Sequence, residues 1–160
     1  DSEVLAVAGR CGNLHLFDRD TRQCSEHRLH AGRIRDVAFL PSLNTAVCVG
    51  EDGEVTVFDT ESKQLIQRIR VTTGKLFAVS VLNSDLIAVA GSDNVIRVIH
   101  LKSGQVVRRL EGHSGSVNAL AAQGGLLFSG SYDATLRRWS IADIVAGQQR
   151  IAETGPTIDR

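Results

Sequence analysis

Short β-rich runs end at Phe17-Asp18, Phe58-Asp59, Ile99-His100 and Trp139-Ser140, and the leading residues of these pairs stand 41, 41 and 40 residues apart. Gly9, Gly50, Gly91 and Gly130 close the preceding apolar runs at steps of 41, 41 and 39. A third marker, an apolar residue shortly after a glycine, recurs at Ile34, Leu76, Val117 and Ile158 with steps of 42, 41 and 41. Three markers in one register define tandem units of the same build. A unit this small cannot bury its own apolar faces, so neighbouring units must stack on one another.

The fourth unit shows the internal plan best. Ser116–Ala121 reads as a strand, Gly124-Gly125 as a turn, and Leu126–Gly130 as an unbroken apolar run of the kind buried on both faces. Tyr132-Asp133-Ala134 is a tight turn, after which Thr135–Ser140 returns as a third strand. In the third unit, Lys102-Ser103-Gly104 leads into an outer strand, Val106–Leu110. Helical periodicity is absent except over Ile141–Gln148, which has room for a single turn.

Gly112-His113, followed by Ser129-Gly130-Ser131-Tyr132-Asp133 and ending in Trp139-Ser140, resembles the WD-repeat pattern. The resemblance covers nearly all of the chain, and its motifs are specific in the fourth unit and looser in the others. It implies an all-β fold: a β-propeller of four-stranded antiparallel blades set radially about a central channel, with four repeats present. The expected division is blade 1 at about 1–29, lacking its innermost strand, then blade 2 at about 30–70, blade 3 at about 71–111 and blade 4 at about 112–153. Residues 154–160 would begin a next or closing innermost strand, with Ile158 in register. Either that strand closes a four-bladed ring on the first blade, or the chain is part of a larger ring, seven-bladed as is usual in the family. The larger ring is the expectation. A chain that opens with Asp1 and contains no Met agrees with a piece of a longer protein, and equally with removal of a leader.

Composition narrows the function classes. Lys and Arg number 18 and so do Asp and Glu, which leaves no general attraction to nucleic acid or an anionic membrane. No apolar run approaches the roughly 20 residues of a membrane-spanning helix. Cys11, Cys24 and Cys48 form no paired framework, and no Asn-x-Ser/Thr sequon occurs, so an intracellular home is expected.

Three constellations imitate chemistry. His113, Ser129 and Asp133 have the composition of a catalytic triad, but the resemblance assigns them, with Trp139, to a structural hydrogen-bond network. There the His bonds the second-strand hydroxyl, the hydroxyl bonds the Trp, and the turn Asp fixes the His. No oxyanion site accompanies them, so no catalytic residue is assigned. The second unit keeps His30 and Asp52 but has Val49 and Phe58 at the hydroxyl and Trp positions. The third keeps Asp93 with Ile99 at the Trp position, and the first has Cys11 where the Asp should stand. Apolar packing is expected to hold these units instead. Cys24, His27 and His30 stand three residues apart without the second ligand pair a structural zinc needs, and His27 falls on an outer strand expected to be exposed, so no metal is expected. Thr73-Gly74-Lys75-Leu76 lacks the further glycines and the hydroxyl of a phosphate-binding loop. No cofactor is implied.

Propellers of the resembled family bind peptides on the narrow face. The exposed positions there flank the apolar residue of each innermost strand and precede the turn Asp. Carried over, these are Arg10 in the first unit and Arg33, Arg35 and Glu51 in the second. The third contributes Lys75, Phe77 and Ser92, and the fourth Ser116, Asn118 and Tyr132. Arg10, Arg33, Arg35 and Lys75 make part of this set basic, which suits an acidic or phosphorylated peptide. Phe77 and Tyr132 are candidate aromatic anchors. The leading expectation is therefore a non-catalytic protein-interaction scaffold in a larger assembly. Its open ends would be covered by missing blades, a second copy or another subunit. Direct nucleic-acid binding through the basic positions is the alternative, disfavoured by zero net charge and few aromatic rings.

Overall fold

The structure, a computed structural model, describes residues 4–40 and 44–147. It is all-β apart from one short helix and holds four antiparallel sheets. The first comprises β1 (Val4–Ala8), β2 (Asn13–Asp18) and β3 (Cys24–Arg28), in that order. The second runs β4 (Ile34–Leu40), β5 (Thr45–Gly50), β6 (Glu54–Asp59), β7 (Gln64–Arg70). The third repeats that order with β8 (Leu76–Val81), β9 (Leu86–Gly91), β10 (Ile96–His100) and β11 (Gln105–Leu110). The fourth holds β12 (Val117–Gln123), β13 (Leu126–Ser131) and β14 (Leu136–Ser140), followed by α1 (Ile141–Ala146). The sheets fall into two compact units that divide between Leu76 and Phe77.

One repeated position governs the turns that follow β2, β6, β10 and β14. Asp18 Oδ1 accepts the N–H groups of Asp20 and Thr21, each at 2.9 Å. Asp59 Oδ1 does the same for Glu61 and Ser62, each at 2.9 Å. In the third sheet His100 Nδ1 accepts from Ser103 N at 3.3 Å. These hairpins finish on a left-handed residue at Arg22, Lys63 or Gly104 and enter the fourth strand. At the fourth occurrence, Ser140 accepts the Asp143 N–H at 3.3 Å and so caps a helix instead, which Gly147 ends at φ 82°. The chain therefore leaves β14 through α1, where a four-stranded blade would turn into its outer strand. Residues 148–160, including the expected innermost strand at Ile158, lie outside the described residues.

Within the first unit Leu14, Leu16 and Leu29 pack against Ile34, Ala46, Cys48 and Phe58. Within the second, Ala88, Ala90, Val98 and Leu110 pack against Val117, Leu127, Trp139 and Ile144 of the helix. Each fully buried large side chain in such a seam contributes about 1.5–3 kcal/mol. β5 is buried along its whole length, as a middle strand covered on both faces should be. β13 departs from this, because buried and half-buried residues alternate along it. Its apolar run predicts cover on both sides, yet only the Leu127 and Ser129 side is sealed. The far side of the fourth sheet leaves Leu136 62% exposed, and the first sheet likewise leaves Leu5 and Val7 56% and 54% exposed.

Candidate functional site

Four residues, two from strands, one from a turn and one from a loop, meet in the fourth sheet. His113 Nδ1 lies 2.8 Å from Asp133 Oδ2 and its Nε2 lies 2.8 Å from Ser129 Oγ, which accepts the Trp139 indole N–H at 2.9 Å. Asp133 also accepts from Ser114 N at 2.9 Å, Thr135 N at 2.9 Å and Thr135 Oγ1 at 2.6 Å. Burial pushes the Asp133 carboxyl up, but the Thr135 hydroxyl, His113 and the two N–H groups outweigh it and hold the acid well below the usual carboxylate range. Every polar end of His113 and Ser129 is thus spent on a neighbour. Ser129 is 1% exposed, out of reach of a substrate.

The second sheet carries a lock of its own, contrary to the expectation of apolar packing alone. His30 Nδ1 meets Asp52 Oδ1 at 2.9 Å, and His30 Nε2 meets Thr56 Oγ1 at 3.0 Å. The hydroxyl has moved from the second strand to the third: Val49 occupies the expected position, while Thr56 stands opposite Cys48 in the ladder. Burial raises the Asp52 pKa, but bonds from His30, Ala31 N and Glu54 N bring the net shift down. The third sheet uses a different partner again. Asp93 receives a two-pronged bond from Arg97, with Nη2–Oδ2 at 2.7 Å and Nη1–Oδ1 at 3.0 Å. Thr56 and Arg97 were missed by the sequence reading. Each sits four residues after its turn Asp, a polar side chain inside a buried strand, and that misplacement is the signal that could have found them.

His27 is half-buried on β3, where an exposed position was expected. Its ring centroid lies 4.7 Å from that of Phe58, and Nε2 meets Ser25 Oγ at 3.0 Å. Burial, aided by Lys63, lowers its pKa. Protonation is then easier in the unfolded chain, so stability present above about pH 6.5 is lost as the pH falls toward the lower folded value. Thermal melts between pH 7.5 and 5.5 should show this loss, and His27→Gln should abolish it. An unchanged profile in the variant would assign the dependence elsewhere. Cys24 does not join His27 and His30, and among the described residues no group of three or more His, Cys, Asp or Glu could hold a metal.

The candidate binding positions divide between the two units. In the first, Arg33, Arg35, Glu51 and Lys75 converge: Arg35 Nη1 reaches Glu51 Oε1 at 3.5 Å and Lys75 Nζ reaches Glu51 Oε2 at 3.0 Å. The Glu51 N–H bonds Arg33 O at 2.9 Å, and Ile34 N bonds Gly9 O at 3.2 Å, which brings the Arg10 turn to the start of β4. The bond from Lys75 is the main reason Glu51 titrates below its ordinary value, with Arg33 and Arg35 adding to it against some burial. Arg35 has a special setting. The ladder pairs Ile34 with Gly50 and Asp36 with Val49, so Arg35 is the extra residue of a β-bulge, a device that re-aims side chains. Asn118 occupies the same place in β12, between Val117 and Ala119. In the second unit Ser116 O accepts Tyr132 N at 2.9 Å, and Asn118, Tyr132 and Leu136 line a shallow hollow of about 360 Å³. Tyr132 is 77% exposed, Ser92 is exposed and Phe77 is half-buried.

Tandem antiparallel sheets of three or four strands, each turn Asp locked to its own sheet, define a repeat protein built of propeller blades. The sequence model described as WD domain, G-beta repeat matches residues 21–59 and 104–140. The chain is 29% identical over 155 residues to U3 small nucleolar RNA-associated protein 21 of Saccharomyces cerevisiae, covering 88% of this chain and 16% of that protein. It is 25% identical over 114 residues to WD repeat-containing protein 36 of Homo sapiens, covering 70% of this chain and 13% of the relative. Autophagy-related protein 16 of Arabidopsis thaliana is 27% identical over 137 residues, with 81% of this chain and 27% of the relative covered. The chain carries WD repeats and is similar to WD-repeat proteins along most of its length. It spans between 13% and 27% of the length of these curated relatives.

Proposed function

We propose that this chain is a non-catalytic, intracellular protein-interaction module that works inside a larger assembly and engages an acidic or phosphorylated segment of a partner. The supporting observation is the cluster at the start of β4, where Arg33, Arg35 and Lys75 surround one carboxylate and a bulge aims Arg35 out of the ladder. Arginine forks and mobile lysines of this kind take carboxylates and phosphates. Phe77, Ser92, Ser116, Asn118 and Tyr132 are candidate contact positions of the second unit, taken by itself. The exposed apolar faces around Leu5 and Leu136 are surfaces for neighbouring sheets, whether missing blades, a second copy or another subunit.

The test uses degenerate nonapeptide libraries fixed at the centre as phosphoserine or serine. The double variant Arg33→Ala/Arg35→Ala should capture the phosphoserine library about tenfold less than the unaltered chain, with a flatter salt dependence. Equal capture and equal salt dependence would reduce these arginines to ordinary surface.

A second reading, association with RNA, has one observation in its favour: a relative covering most of this chain is named for a small nucleolar RNA. Micromolar binding of single-stranded oligonucleotides at physiological salt would favour it over the peptide reading.

A further inference from the structure

We propose that Glu51 is a built-in counter-anion that holds the place of a ligand phosphoryl group, so that the cluster admits a phosphorylated side chain and turns away a single carboxylate. This inference rests on the peptide-binding reading above and deepens it.

Glu51 is the single acid among the ten candidate positions, against Arg10, Arg33, Arg35 and Lys75. Its two carboxylate oxygens are divided between a cation on β4 and one in the loop before β8, Oε1 toward Arg35 and Oε2 toward Lys75. The backbone fixes it there, because Glu51 follows directly on Gly50, the ladder partner of Ile34, and its N–H bonds Arg33 O at 2.9 Å. The side chain itself is 27% exposed and has only surface ion pairs to lose, so it can swing out to water at small cost.

The exchange decides the selectivity. A ligand Glu or Asp that enters replaces one carboxylate by another and gains almost nothing. A phosphoserine brings about −1.5 to −2 charges and three acceptor oxygens, enough to engage the bulged Arg35 fork and Lys75 together while Arg33 remains close by. Glu51 therefore raises the charge a ligand must carry before binding becomes favourable. It should also make acidic substitutions poor mimics of phosphorylation in the partner.

The experiment captures three degenerate nonapeptide libraries, fixed at the centre as phosphoserine, glutamate or serine, on the unaltered chain, on Glu51→Gln and on Arg33→Ala/Arg35→Ala. Glu51→Ala is carried in parallel, and far-UV circular dichroism checks that each variant folds. On the unaltered chain the phosphoserine library should be retained and the glutamate library held no better than serine. In Glu51→Gln, retention of the glutamate library should rise about three- to tenfold, as expected for releasing two screened ion pairs, and the phosphoserine preference should shrink. Phosphoserine binding with an unchanged preference in both Glu51 variants overturns the counter-anion and leaves the peptide site standing. Retention of none of the libraries above the double-arginine variant overturns the peptide site itself, and this inference with it.

Discussion

Replacing Gly53 with alanine is expected to open the second sheet. Gly53 follows the turn Asp52 at φ 76°, a conformation that costs a side chain about 1–3 kcal/mol. The larger penalty is contact. A Cβ there would stand 2.2 Å from Thr72 O and 2.5 Å from Gly74 O, both rigid backbone, and Gly53 O already accepts the Val71 and Thr72 N–H groups. The sum is on the order of 3–5 kcal/mol, a large share of a domain's net stability. Ala134 provides the comparison, since it holds the same turn position in the fourth sheet at φ 61°. The left-handed turn alone thus tolerates alanine, and the close backbone approach at Gly53 is what forbids it. Cys48 reports the outcome. It is fully buried, with its thiol pushed up to about 12 by burial, and should resist alkylation in the native chain. In Gly53→Ala its labelling, mapped by mass spectrometry, should accelerate by orders of magnitude. Labelling as slow as in the unaltered chain would mean that the turn shifts aside cheaply.

Asp133→Ala should cost the fourth sheet about 3 kcal/mol, because it strands several donors at once. Thr135 N, Ser114 N and the His113 ring all lose their shared acceptor, and His113 is then free to turn away from Ser129. Trp139, the single tryptophan, makes the change visible, since its N–H ends on the same Ser129 hydroxyl. Denaturant unfolding of the whole chain followed by tryptophan fluorescence should show the midpoint fall, and Thr135→Val should show a smaller fall. The same carboxyl fixes a pH window. Its folded pKa is depressed, so its contribution is complete above about 3.9, the unfolded value, and is lost as the pH falls toward the folded one. The variant should lose that acid limb. A variant with an unmoved midpoint would show that apolar packing alone holds the sheet.

The repeat and the all-β class could be read from the sequence because they depend on positions that strand geometry repeats. A glycine closing a strand and an aromatic or branched residue ending the next recur wherever the same sheet is rebuilt. The polar wiring was less readable for a physical reason. A buried histidine nitrogen needs one hydroxyl within about 3 Å, and adjacent strands of a sheet can each supply it. Spacing identifies His30 and Asp52 but does not choose between position 49 and position 56, and here Thr56 on the third strand is used. Arg97 escaped notice because arginine in a strand reads as surface, although its two-pronged bond to Asp93 lets it lie 7% exposed. The placing of Glu51, Arg35 and Lys75 on one face is legible, but their ion pairing is hidden. It depends on a bulge at Arg35, and nothing in the spacing of one strand shows which residue its partner strand skips.

The three turn aspartates answer one requirement with unlike parts: a histidine and a third-strand threonine, an arginine, and a histidine with a second-strand serine and a tryptophan. Repeats of equal length in this chain are consequently not interchangeable cassettes. A strand carrying Ser129, grafted in place of β5, would set two hydroxyls competing for one imidazole nitrogen. Moved into the third sheet, it would meet an aspartate that Arg97, and not an imidazole, already holds. Any shuffling of these segments, by recombination or by an engineer, has to move each aspartate together with the partner that keeps it.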